Sequence, residues 1–149
     1  MSSVRELRER LVQAGIARPS EIRGCTAEEI EEVRATQGLP LPRVYEEFLR
    51  EMGRGAGAFL RGTDVFYPRV LQVHEWALDL LAEDGAETVL PSGAFVFLSH
   101  QGYQFMFFPT GQSDDPAVYF YREQARAAQQ RFDSFSSFLA SSIESHARG

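Results

Sequence analysis

Apolar residues along this 149-residue chain recur every three or four positions at both ends and crowd into strand-like runs between them. Val4, Leu7, Leu11 and Val12 keep helical spacing, with Gly15 as a stop and Pro19 beyond it. Their stripe is narrow, which suits a helix packed at the periphery. Thr26 and Glu29 stand at capping-box spacing, and Ile30 and Val33 carry the apolar face towards Gly38, predicting a second helix over about 27–37. Two prolines punctuate the turn that opens at Leu39, and Pro42 fits the first turn of a third helix. Tyr45, Phe48, Leu49 and Met52 form that helix's buried face, with Gly53 ending it in a left-handed conformation.

The run Gly53-Arg54-Gly55-Ala56-Gly57 follows a helix and precedes a short strand candidate, Ala58-Phe59-Leu60. Glycines that cradle phosphate stand between a strand and a helix, so this order argues against nucleotide binding. Phe66-Tyr67-Pro68 leads into a fourth helix whose inward residues are Val70, Val73, Trp76, Ala77, Leu80 and Leu81, stopped at Asp84-Gly85. From Pro91 the pattern turns to strand: Ala94 to Leu98, a Gln101-Gly102 turn, then Phe105 to Phe108. Apolar residues at successive positions imply that both faces are covered and that both strands are central. After a polar loop from Thr110 to Pro116, Ala117 to Tyr121 reads as a further strand. Phe132, Phe135, Phe138, Leu139 and Ile143 mark a last helix, with Ser134, Ser136 and Ser137 on its polar flanks. Five helices and several strands in one chain of this length make a single α+β domain over residues 1–149, its first 20 residues a peripheral helix.

Charge narrows the partners. A formal charge of −6 and a pI near 5.1 oppose binding to a nucleic-acid backbone, which needs concentrated arginine and lysine, and favour a basic protein. The densest basic cluster, Arg5, Arg8 and Arg10, is interleaved with Glu6 and Glu9 and reads as a solvated helix face. The single Cys25 can form no internal disulfide and suits a reducing compartment. No stretch resembles a signal peptide or a membrane span, and a cytoplasmic location follows.

Candidate chemistry is sparse. His74, His100 and His146 lie in no metal-ligand spacing, so neither a metal nor another cofactor is expected. Ser99 and His100 are neighbours on a strand and point to opposite faces, which prevents a nucleophile–base hydrogen bond. Asp114 and Asp115 could form an acid–base pair, yet between Ser113 and Pro116 they read as a solvated turn. A non-catalytic protein follows. Its candidate recognition residues are the polar hairpin tip, His100, Gln101, Tyr103 and Gln104, with His100 facing Tyr103 and Ser99 facing Gln104 across a two-residue turn. Local satisfaction of backbone groups is the competing role for that tip. Asp114 and Asp115 join the candidates, as does the acidic run Glu28, Glu29, Glu31 and Glu32, unless its charge serves only solubility.

The order of these pieces resembles the SUKH superfamily, which includes bacterial immunity proteins and domains of fungal cell-wall regulators. The resemblance rests on the proline-started helix from Leu41 to Gly55, the phenylalanine and glycine hairpin, the Pro-Ala-Val-Tyr strand from Pro116, and the terminal Asp-Ser-Phe-Ser-Ser-Phe-Leu helix. It covers about residues 26–143. The glycine-rich loop continuing into Ala58-Phe59 and the Ser113-Asp114-Asp115 run depart from the pattern. The resemblance implies an α+β fold with an antiparallel-rich sheet flanked by helices. It further implies direct binding of a partner, in many members a nuclease or deaminase toxin, and supplies no catalytic motif. An intracellular scaffold or regulatory adaptor is the alternative, and oligomeric state stays open.

Overall fold

A computed structural model describes residues 3–148. Helix α1 spans Val4–Gln13, and the Ser3 hydroxyl accepts from the Glu6 amide at its start. Leu7 and Leu11 are fully buried, and α1 packs on two later helices, so it belongs to the core more fully than its narrow stripe implies. Helix α2, Ala27–Ala35, opens with the reciprocal Thr26–Glu29 capping box. Helix α3, Arg43–Met52, buries Tyr45, Phe48, Leu49 and Met52.

Two expectations fail just after α3. Gly53 is right-handed, at φ −64°. Its glycine requirement is one of space: a Cβ there would lie 2.5 Å from the Leu49 carbonyl oxygen and 2.6 Å from Cys25 Sγ. Ala58-Phe59-Leu60 is a turn and not a strand, with Leu60 at φ 54°. The extended residues lie earlier, where β1 (Ile22–Arg23) pairs antiparallel with β2 (Gly55–Ala56).

Helix α4 runs from Val73 to Asp84 and ends at Gly85, whose φ of 64° is the left-handed stop that glycine adopts without strain. Four antiparallel strands form the main sheet: β3 (Ala94–His100), β4 (Gln104–Pro109), β5 (Val118–Arg122) and β6 (Gln129–Phe132), in that spatial order. Helix α5, Phe135–Arg148, closes the fold. These elements establish the α+β class with an antiparallel sheet between helices.

The sheet corrects the sequence reading in three places. β3 is an edge strand and not a central one, although Ala94 to Ser99 are all buried. Packing covers its faces, and other groups cover its edge: the Gln37 side chain both donates to and accepts from the Val96 backbone at 2.8 Å, and Asp64 bridges Ser99. Phe132 lies on β6 and not in the last helix. The hairpin loop holds three residues, pairing His100 with Gln104 and Ser99 with Phe105, so the expected His100–Tyr103 and Ser99–Gln104 pairs shift by one residue.

Alternation along the strands divides the aromatic residues between two layers. Phe95, Phe97 and Phe108 meet Tyr45 of α3 and, for the latter two, Phe135 of α5, with ring centroids 5.2–6.2 Å apart. On the other face Phe105 stacks on Tyr121 and Phe107 on Tyr119. Helix α4 packs on β3 and β4, and the Tyr121 hydroxyl donates to Asp84 at its end.

Candidate functional site

The hairpin tip is compact and largely self-satisfied. Gln101 and Gly102 take φ of 55° and 83°, a left-handed pair that turns the chain sharply. Tyr103 donates its hydroxyl to Gln101 Oε1 at 2.6 Å and meets the His100 ring edge-on at 6.0 Å. Gln104 is half-buried in the β4 ladder. Tyr103 remains exposed, so the tip offers one aromatic surface rather than a row of free polar groups.

Asp114 and Asp115 have separate structural tasks. The Asp114 backbone carbonyl accepts from the Val44 amide, and its carboxylate lies 3.5 Å from Arg43. The Asp115 carboxylate accepts from the Ser136 amide and hydroxyl at 2.9 and 2.6 Å, capping the start of α5. Ser136 is accordingly buried and not on a polar flank. At the other end of α5, His146 bonds the Ala58 carbonyl at 2.9 Å, which ties the end of the helix to the turn after β2.

Helix α2, the acidic helix singled out from sequence, spends most of its charge on partners within the chain. Glu29 accepts from the Thr26 amide and pairs with Arg54; the amide bond leads in holding its carboxyl below the usual range. Glu31 pairs with Arg34, and Glu32 accepts from the Tyr67 hydroxyl at 2.6 Å. That bond leads in pushing the Tyr67 phenol up to about 12. Only Glu28 of the four lacks a side-chain partner among the described residues.

Helix α4 presents the opposite arrangement. It carries Glu75, Asp79, Glu83 and Asp84 and no arginine or lysine. Asp84 is engaged: it accepts from the Tyr121 hydroxyl at 2.5 Å and the Gln124 amide at 2.7 Å, and these bonds, Tyr121 first, lower its pKa. Glu75, Asp79 and Glu83 are exposed at i, i+4 and i+8 and form no ion pair or side-chain hydrogen bond among the described residues. Beside that row lie Leu78, 47% exposed, and exposed Ala82. His74, half-buried on the same helix, has its pKa lowered by desolvation.

A signal for this asymmetry exists in the sequence and was missed. Residues 70–121 contain no arginine or lysine and seven carboxylates, so all 15 bases and only 14 of the 21 acids lie elsewhere. The whole negative excess comes from one segment. Counting charges across the chain hides it; counting them by segment exposes it.

Two other features complete the surface. A cavity of about 600 Å³ opens between Val89, the end of β4 and the β5–β6 loop, floored by the stacked Phe107 and Tyr119 and edged by Arg126. Cys25 is buried, and desolvation pushes its thiol up to about 11, against the low values of reactive cysteines. Among the described residues no cluster of three or more His, Cys, Asp or Glu is placed to hold a metal ion, and no helix is long and apolar enough to cross a membrane.

An antiparallel sheet between helices is here the fold of a family of protein-interaction modules of the immunity-like or regulatory type. The chain belongs to the SMI1/KNR4 family (SUKH-1), whose model matches residues 24–141. Among curated proteins none matches the chain.

Proposed function

We propose that this protein is an immunity-type binder that neutralises a cognate bacterial toxin, of the nuclease or deaminase class, by direct association in the cytoplasm. It performs no chemistry of its own. The observation that carries the reading is the segregated charge: a family of interaction modules here has its entire negative excess in residues 70–121. A protein that acts on nucleic acid presents a basic surface to the phosphate backbone, and an acidic protein complements that surface. Such complementarity chiefly speeds association and selects the partner.

Coexpression with each nuclease or deaminase toxin candidate encoded near its gene is the test. Cells expressing both proteins should survive, and the purified pair should bind. Binding without protection assigns the chain to the regulatory adaptors, which the same fold would serve equally well. Absence of both binding and protection overturns the proposal.

A further inference from the structure

The outer face of α4 is an unpartnered helix surface of unusual composition. Its inner residues, Val73, Ala77, Leu80 and Leu81, are buried against the sheet. Leu78 and Ala82, four residues apart, make an exposed apolar row directly beside the row of Glu75, Asp79 and Glu83. Among the described residues three large apolar side chains are exposed, and Leu78 is the most so; Val12 and Tyr103 reach 36% and 37%.

None of the three carboxylates makes a side-chain hydrogen bond or ion pair among the described residues. Two other unpaired acids have arginine close at hand in sequence: Glu9 lies between Arg8 and Arg10, and Glu123 follows Arg122. Here the nearest arginine before the helix is Arg69, which is paired with Asp64 and lies over the Trp76 ring, and the next in sequence is Arg122. Arg126 acts on Asp84 at the helix end, while Glu75, Asp79 and Glu83 pair with no arginine among the described residues and α4 itself carries no base to balance them.

The rows select their occupant by charge. A second copy docked face to face would set carboxylate against carboxylate, and nucleic acid or an anionic membrane would be repelled in the same way. A cationic protein surface that also presents an apolar side chain fits both rows: the salt bridges orient it, and Leu78 supplies the desolvated contact. We infer that the α4 face centred on Leu78, Glu75, Asp79 and Glu83 is the docking surface for a basic protein partner. This placement rests on the toxin-binding function proposed above and gives it a location.

The probe is a purified basic nuclease or deaminase toxin domain from a neighbouring gene, chosen by protection in coexpression and titrated against wild type and variants by calorimetry at low and moderate salt. Triple replacement Glu75→Lys, Asp79→Lys and Glu83→Lys is expected to weaken binding about 100-fold at low salt and to flatten its salt dependence. The milder triple change to Gln should cost about 10-fold. Leu78→Ser should cost about 10-fold while leaving the salt dependence as in wild type. Glu9→Lys, on α1, which packs on α3 and α5 and not on the sheet strands that α4 covers, should bind as wild type. Circular dichroism melts confirm that each variant is folded.

Binding by both triple variants within about threefold of wild type overturns the α4 surface while leaving the toxin-binding function intact. So does loss of binding confined to Tyr103→Ser or Glu28→Lys. A wild-type dimer in sedimentation that Leu78→Ser dissociates assigns the face to a second copy and overturns the basic partner. Failure of wild type to bind the toxin overturns the proposed function itself, and the docking surface with it.

Discussion

Helices α2 and α4 are both rich in acid, yet their carboxylates do opposite things. On α2 the charges are consumed locally: Glu29 closes a capping box and reaches Arg54, Glu31 holds Arg34, and Glu32 receives the Tyr67 hydroxyl. On α4 only Asp84, at the helix end, has such work, and three carboxylates stand in a row without partners among the described residues. A charge already engaged offers little to a second protein, because a new partner must first replace the existing one. Unengaged charges keep their full field for an approaching partner. The more conspicuous acidic run in the sequence is therefore the poorer docking candidate.

The two faces of α4 should separate most clearly on truncation. Leu81→Ala is expected to destabilise the protein by about 3 kcal/mol in denaturant unfolding, since Leu81 is buried at 1% exposure and its removal leaves a cavity. Leu78→Ala should stay within about 0.5 kcal/mol of wild type, as for an exposed position. A large loss at Leu78 would mean that this side chain holds the fold rather than awaiting a partner.

The segment that follows α2 should show its structural commitment next. Gln37→Ala removes two 2.8 Å hydrogen bonds that shield the β3 edge and should cost about 2 kcal/mol in the same assay. Hydrogen exchange at the Val96 amide should rise with it.

Acid should then distinguish engaged carboxylates. Glu29 and Asp84 have folded-state pKa values below their ordinary ones, so the unfolded chain binds protons first as pH falls. Their contribution is present above about pH 4, the ordinary carboxylate value, and is lost as pH drops through the lower folded values. Glu29→Gln should reduce the slope of stability against pH in that range.

The smallest effect belongs to the α4 row itself. Glu75→Gln, Asp79→Gln and Glu83→Gln together should leave stability unchanged or raise it by a few tenths of a kcal/mol, because like charges at i, i+4 repel. The gain should shrink with salt. A clear loss of stability would show that these carboxylates serve the fold and would erase the contrast with α2.

Much of the helical framework was legible because its signals are local. Thr26 with Glu29, the buried stripe of Tyr45, Phe48, Leu49 and Met52, and the Gly85 stop each lie within a few residues of what they determine. The sheet was less legible. Gln129-Gln130-Arg131-Phe132 has no apolar alternation and becomes β6 because β5 offers it a ladder, while β3 mimics a central strand because packing covers both its faces, its edge being met by Gln37 and Asp64. The hairpin register slipped by one because two left-handed residues can be joined by a third in the loop, a choice the dipeptide Gln101-Gly102 does not dictate.

Sequence by itself determined the class of fold, the helix boundaries set by caps and glycines, the aromatic core, and the acidity that favours a basic partner. These depend on periodicity, local capping and composition. Tertiary structure decided which carboxylates are engaged and which are open, because an ion pair such as Glu29–Arg54 joins residues distant in the chain. The same long-range placement gave Asp115 to the cap of α5 and left Glu75, Asp79 and Glu83 facing outward beside Leu78.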